Sequence, residues 1–527
     1  MSIKSVRVKN LRSIRDTKSI EIKPINIAVG SNSSGKSSFL RLFPLLRQSR
    51  DTRTTSPILW NGDYVDFGSF DESVRRRADK GKISLEFKFE KEWSRRPTYD
   101  YDEYLARRIG LPQKYGIKIS TDISDYGSGS VPEVEKLKIK LCGQSVVIKI
   151  NQNRSIEKIS VNERKKSYYG KYAYEQQDSF LPNIEYKQEG KRSERRFTRR
   201  SVAPDSKLVE FLGQKLHSNT SRDTIERIVS GFVIGDDNHI LESIRKTGRK
   251  LKSWGEIKNN MKKDGILFKK VRDMFIAEQI PSLVDLSNIL IDNFSRGVNY
   301  TTPVRSRTDR YYRKQNLAFD ELDPEGENLA IFLYNMTNTE KESFDKWTEE
   351  ILGVKVKPRS QKGHLYITID EDTQTQADTE YNLVDAGFGF TQVLPIVTQL
   401  WAVTRKRRGS YRQRQTRPSL CAIEQPELHL HPKLQARIAD ALVKTVDESR
   451  TRESGLIPLI VETHSEAIVN RLGHLISEDY LSSDDVQVLL FERENPSLSS
   501  ISYSSFDDDG YLTDWPVGFF GSGIIEE

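Results

Sequence analysis

The sequence predicts an α/β nucleotide-binding fold whose site is assembled from two lobes far apart in the chain. Three observations carry this prediction. An apolar run, Ile25 to Val29, ends in Gly30-Ser31-Asn32-Ser33-Ser34-Gly35-Lys36-Ser37-Ser38 and passes into Phe39-Leu40-Arg41-Leu42-Phe43, which has helical spacing. A second run, Leu420-Cys421-Ala422-Ile423, ends in Glu424, and a third, Ile457 to Val461, ends at Glu462-Thr463-His464-Ser465. Continuous apolar runs are what strands buried on both faces look like, and open α/β sheets bind ligands at the carboxyl ends of such strands.

The first run is a P-loop on a strand-loop-helix unit. Its glycines let backbone N–H groups curl around phosphates, and the helix N-terminus adds its dipole. Gly30, Asn32, Ser33, Ser34, Gly35, Lys36, Ser37 and Ser38 are expected to line the nucleotide, with Lys36 on the β- and γ-phosphates and Ser37 on Mg²⁺. The expected cofactors are ATP and Mg²⁺. Two alternating stretches, Ser5 to Lys9 and Ser19 to Lys23, precede the loop and read as strands.

Beyond the loop helix, alternation predicts strands at Ile83–Phe89, Lys136–Leu141 and Ser145–Ile150. Between about 205 and 300 the apolar spacing becomes helical, as in Leu208 to Leu212 and Ile280 to Phe294. Strand character returns at Leu365–Ile369. The expected organisation is an N-terminal lobe over 1–200, a helical insertion over 201–300 and a C-terminal lobe over 301–527. No heptad run is long enough for a coiled-coil arm, and no internal repeat is visible.

The second half of the site follows. An acid closing an apolar strand is the Walker B arrangement, which assigns Glu424 to Mg²⁺. His464, at the end of the next strand, is placed to touch the γ-phosphate and attacking water. Before Walker B lies Gly387-Phe388-Gly389-Phe390-Thr391-Gln392, whose glycines and helix start can present amides and a hydroxyl to a phosphate. Gly387, Gly389, Thr391 and Gln392 thus occupy the place of a signature loop that contacts nucleotide held by the opposite subunit, which implies a head-to-tail dimer with two ATPs at its interface. Glu424, Gln425 and His464 are the expected catalytic residues, although Gln425 stands where a carboxylate normally polarises the water. An amide cannot take a proton, so hydrolysis is expected to be slow unless Glu424 or Glu427 substitutes.

Three further features have two readings each. Arg305 is either a cationic contact near nucleotide or nucleic acid, or a surface ion pair. His429 and His431 have the spacing of a metal pair but fall just after Walker B, where an interface role fits better. Asp507-Asp508-Asp509-Gly510 reads as a turn rather than a metal cluster.

Composition bounds the function class. The 527 residues suffice for two or three domains, 30% are charged and the net charge is +8; mean hydropathy is −0.62. No run of about 18 apolar residues exists, and Met1 to Arg7 has no apolar signal core, so no membrane span or secretion is expected. Two cysteines, Cys142 and Cys421, exclude a disulfide framework and fit a reducing cytoplasm. Basic clusters at Lys191–Arg200, Arg305–Lys314 and Arg405–Arg417 can each face nucleic acid or simply solvent.

The order of motifs is specific in combination: the P-loop, Asn61-Gly62-x-Tyr64-Val65-Asp66-x-Gly68, Tyr300-x-x-Pro303-x-Arg305, Gly387-x-Gly389-x-x-Gln392-x-Leu394-Pro395, Glu424-x-Pro426-Glu427-x-His429-x-His431-Pro432, Glu462-Thr463-His464-Ser465-Glu466 and Asp514-Trp515-Pro516-x-Gly518-Phe519-Phe520. In this order the chain resembles the ABC-type AAA-family ATPases of bacterial anti-phage defence that serve Septu and Septu-bearing retron systems. The resemblance implies an ABC/SMC-like P-loop ATPase head, an HNH nuclease partner and, in retron versions, a reverse transcriptase with its multicopy DNA. About sixty residues follow His464, fewer than a Toprim-type nuclease domain needs, so a nuclease acting in trans is expected. The competing expectations are a RecF- or Rad50-like repair ATPase and a nucleotide-stabilised scaffold with little turnover.

Overall fold

The computed structural model describes residues 1–75, 81–93, 100–125, 131–163, 172–175, 179–186, 206–305, 308–371, 380–405, 417–451, 455–495 and 498–516. The basic cluster at 191–200, most of the one at 405–417 and the closing 517–527 lie outside these residues.

A sheet of 15 strands organises the described chain. Its N-terminal strands are β1 (Ser2–Leu11), β2 (Ile14–Asp16), β3 (Ile20–Glu21) and the P-loop strand β4 (Ile25–Gly30). An antiparallel meander follows: β5 (Lys82–Glu92), β6 (Lys114–Ser124), β7 (Glu133–Leu141), β8 (Gln144–Ile150) and β9 (Ile156–Val161). The C-terminal half adds β10 (Val298–Thr301), β11 (Leu420–Glu424), β12 (Leu459–Glu462), β13 (Val486–Asn495) and β14 (Leu498–Phe506). Spatially the order is β10-β11-β12-β4-β13-β14-β2-β1-β5-β6-β7-β8-β9. The first five run parallel, and from β1 outward the sheet is an antiparallel wing.

The apolar runs are explained by burial on both faces. Successive strand residues point to opposite faces, and here each face has its own core. Ala28, Leu420, Ala422, Ile460, Leu489 and Phe491 belong to one cluster, while Ile25, Ile27, Val29, Cys421, Ile423, Leu459 and Val461 belong to the other. The first face carries α1 (Lys36–Leu40), α2 (Leu42–Asp51), α3 (Ile266–Glu278) and α4 (Ile280–Arg296); the second carries α5 (Phe388–Val403), α6 (Pro432–Arg450) and α7 (Glu466–Ser477).

Helices run through the described chain from Lys207 to Arg296. The last of them, α4, packs Phe294 against Phe43 and Phe89, with ring centroids 6.4 and 5.5 Å apart, so this stretch shares its core with the P-loop helices. No single described helix is long and apolar enough to cross a membrane; α3 and α4 pass that test only as a pair bent by 54°, and their apolar residues, such as Phe268, Leu283 and Leu290, are buried in the protein.

Candidate nucleotide site

The parallel strands bring the three predicted strand ends together. Register places Glu424 of β11 opposite Glu462 of β12, and Glu462 opposite Ala28 of β4. Gly30 adopts φ 152°, and a Cβ there would lie 2.1 Å from the Phe491 carbonyl oxygen of β13, so only glycine fits. Ser33 and Gly35 also have positive φ, and Gly35 starts α1 without a side-chain cap, which leaves the first amides of the helix available. Lys36 is buried; its ammonium donates to the Gly30 and Ser31 carbonyls at 2.9 Å each, and burial lowers its pKa. The Ser34 hydroxyl, fully buried, has no partner.

The carboxylate that Ser37 meets is Glu462: the Ser37 hydroxyl donates to Glu462 Oε1 at 2.8 Å. Glu424, 2% exposed, is turned to other partners. Arg41 donates to it from Nε and from a terminal nitrogen, both at 2.8 Å, and the Tyr300 hydroxyl donates to Oε1 at 2.8 Å. The bond to Glu424 raises the Arg41 pKa, and burial followed by the Glu424 charge raises that of Tyr300. Burial pushes the Glu462 carboxyl up to about 7, the Ser37 bond opposing and the Glu424 charge adding, and Glu462 Oε2 is buried without a partner. Sequence reasoning named Glu462 only as part of a strand end and did not assign Arg41 a role. Its available signal was an acid closing a strand, the same one used for Glu424.

Around the turn after β11, Gln425 has φ 40° and its amide donates to the Glu462 carbonyl at 2.8 Å. Glu427 Oε1 accepts the His464 amide at 2.6 Å, while Oε2 is buried and unpartnered; burial raises the pKa of this carboxyl. His464 is exposed, and partial desolvation together with the Lys36 charge lowers its pKa, favouring the neutral ring. Arg305 is not a surface ion pair. It is 4% exposed, approaches the Glu424 and Gln425 carbonyls at 3.4 Å and leaves Nε and one terminal nitrogen without partners. Burial lowers its pKa to about 10, against the pull of Glu427.

Gly387, at φ 91°, starts α5 with open space where a Cβ would stand. Phe388 beside it is 54% exposed and sets its ring against His429, centroids 5.4 Å apart. Thr391 and Gln392 are buried within their own chain, and the Thr391 hydroxyl donates to the Phe388 carbonyl at 2.8 Å. His431 caps α6, its Nδ1 accepting the Lys433 amide at 3.3 Å. Among the described residues no group of three or more His, Cys, Asp or Glu is placed to hold a metal ion. Asp507 to Gly510 form a turn: the Gly510 amide donates to the Asp507 carbonyl, and Asp507 Oδ1 accepts the Tyr511 amide.

The sequence model of one protein family, described as AAA ATPase domain, matches residues 1–469. The chain belongs to this AAA ATPase family. Its fold is that of a P-loop AAA ATPase domain, an α/β sheet in which β11, closed by Glu424, is one strand removed from the P-loop strand β4. No curated protein matches the chain. Similar solved structures include an Smc head bound to the C-winged helix domain of ScpA, at 9% identity and a TM-score of 0.36, covering 96% of this chain and 98% of that one. A Pyrococcus furiosus Smc head with an extended coiled coil, bound to the C-terminal domain of ScpA, has 10% identity, a TM-score of 0.34 and coverage of 96% of each chain. The SMC head domain from Thermotoga maritima has 10% identity and a TM-score of 0.34, covering 95% of this chain and 98% of that one.

The residues of this AAA ATPase fit ATP with Mg²⁺. Uncapped amides at α1 and the Lys36 ammonium suit phosphate oxygens, and the buried Ser34 hydroxyl and Glu462 Oε2 are polar atoms that lack partners within the protein. The donor set of one hydroxyl, carboxylates and phosphates is of the hard-oxygen kind that Mg²⁺ takes.

Proposed function

We propose that the chain is a slow, nucleotide-switched ATPase of a bacterial anti-phage defence complex of the PtuA type, controlling an HNH nuclease of the PtuB type in trans and, in retron versions, a reverse transcriptase with its DNA and RNA. The ATPase part is carried by one observation: the P-loop, Ser37 and two buried strand-end acids converge, while the residue after the Walker B acid is the neutral Gln425. The defence part is carried by the order of motifs along the chain.

In this reading Lys36 exchanges its carbonyl partners for the β- and γ-phosphates. Ser37, with a carboxylate from the strand ends, would hold Mg²⁺, which would supply positive charge against the phosphates. The neutral His464 ring is available to accept a hydrogen bond from attacking water. Gln425 orients that water without accepting its proton, which favours a long-lived bound state, suited to a clamp or timer. The exposed Gly387–Phe388 corner beside His429 is the surface offered to nucleotide and to a second copy of the chain. The buried Thr391 and Gln392 then support this corner from beneath.

A RecF-like reading, with nucleic acid held directly, is favoured by one feature of the wing. Its solvent face carries two cross-strand rows of lysine in register, Lys88–Lys118–Lys140 and Lys136–Lys149–Lys158. Like charges directly opposite one another are destabilising in a sheet; Glu86 beside Lys118 and Asp122 beside Lys136 offset part of this, and a polyanion would relieve the rest.

The test is affinity purification of the tagged chain expressed with its chromosomal neighbours, followed by mass spectrometry and nuclease digestion of what comes with it. The expected result is a small HNH protein, with or without a reverse transcriptase and bound DNA. A bare dimer whose hydrolysis responds to added DNA would overturn the defence reading in favour of repair.

A further inference from the structure

We propose that Glu462, and not the Walker B acid Glu424, is the carboxylate this chain presents to the Mg²⁺ of bound ATP, Glu424 serving instead as a strut held by Arg41 and Tyr300. The inference rests on the ATPase reading above and specifies its metal site. Four observations carry it.

The first is position. Strand β12 lies between β11 and β4, so Glu462 stands one strand spacing, about 4.8 Å, closer to the P-loop strand than Glu424 does. The second is contact. Ser37 is the hydroxyl that the P-loop offers to the metal, and its partner is Glu462 Oε1 at 2.8 Å. The third is an orphaned atom. Glu462 is 2% exposed and its Oε2 has no hydrogen-bond partner, an arrangement that costs free energy unless something else engages that oxygen. The fourth is saturation of the alternative. Both Glu424 oxygens accept from Arg41, and one also accepts from Tyr300. A divalent cation recruited there would have to break a bidentate ion pair and would sit beside a guanidinium.

Among the described strand-end acids, Glu427 also has a buried oxygen without a partner, but it is tied to the His464 amide at 2.6 Å, and the two residues between Glu424 and Glu427, Gln425 and Pro426, carry no charge. Mg²⁺ needs few protein ligands, since it keeps several waters and takes phosphate oxygens for the rest. One hydroxyl and one carboxylate suffice. The Ser37–Glu462 bond keeps both side chains aimed at one point between the P-loop and β12.

The test uses the full chain with Mn²⁺ in place of Mg²⁺ and the β,γ-imido analogue of ATP, reading free Mn²⁺ by electron paramagnetic resonance. Metal-free binding of the analogue is measured separately in EDTA. Glu462→Gln is expected to weaken Mn²⁺ in the ternary complex at least tenfold while changing metal-free analogue affinity less than threefold. Glu424→Gln is expected to change Mn²⁺ affinity less than threefold. Glu462→Asp, which keeps the charge on a shorter stem, is expected to lose at least threefold and serves where the Gln variant does not fold. Equal losses in Glu424→Gln and Glu462→Gln, or a loss confined to Glu424→Gln, would overturn the assignment. A wild-type chain that binds the analogue neither in EDTA nor with Mn²⁺ would overturn the ATPase reading itself.

Discussion

Replacing Arg41 with Met keeps most of the aliphatic stem but removes the guanidinium that neutralises Glu424. The Glu424 carboxylate, 2% exposed, would then be left with the Tyr300 hydroxyl as its remaining side-chain donor. Breaking a buried pair by removing one partner costs about 3–5 kcal/mol. The Arg41 side chain is 31% exposed, so water reaches part of the vacated space and the lower figure, about 3 kcal/mol, applies. That is roughly a 150-fold shift in the folding equilibrium. Glu424→Gln alone should cost less, about 1–2 kcal/mol, because the amide still accepts from Tyr300 and from Arg41. In the double variant no charge is stranded, and its cost should fall well short of the sum, leaving a coupling of about 2 kcal/mol. The assay is urea unfolding of the four proteins in EDTA, with slopes compared to exclude a change in the unfolded state. A cost below about 1 kcal/mol for Arg41→Met, or strict additivity in the double variant, would refute the view of Glu424 as a neutralised strut.

Gln425→Glu supplies the missing base and should raise single-turnover hydrolysis by up to about a hundredfold; an unchanged or lower rate would contradict the account of slow turnover. Lys36→Ala should abolish nucleotide binding measured by equilibrium dialysis, and retained affinity would remove the P-loop assignment. Gly30→Ala forces a Cβ to within 2.1 Å of the Phe491 carbonyl oxygen at φ 152°. It should destabilise the chain by at least about 2 kcal/mol in the same urea assay, a cost of the order expected for strained backbone. If the wing holds nucleic acid, Lys140→Glu and Lys149→Glu should each weaken DNA binding across sequences and flatten the dependence of log affinity on log salt by about one unit. An unaltered slope would leave the lysine rows as a solvated face.

The sequence by itself determined the elements whose signal is local. β4, β11 and β12 are legible as apolar runs because they are buried on both faces, and the wing strands are legible by alternation because one face meets solvent. Gly30, Gly35, Lys36 and Ser37 are legible because a phosphate-binding turn needs glycine where φ is positive and fixes the offset to the lysine. The turn at Asp507–Gly510 follows from the same backbone chemistry. Only the tertiary structure decided which strand ends are neighbours. The Arg41–Glu424 pair joins residues 383 apart, and the Ser37–Glu462 bond residues 425 apart; no periodicity within a strand encodes such a pairing. Two acids closing two apolar strands look alike in sequence. Sheet order separates them, placing Glu462 beside the P-loop and leaving Glu424 one strand further out, against a guanidinium. In the same way, burial moved Arg305 from a charge run on the page to the floor of the Walker B turn, and it took Thr391 and Gln392 into the interior. Side-chain position relative to a sheet depends on strand order and on what covers each face, both of which arise from long-range packing and not from local sequence.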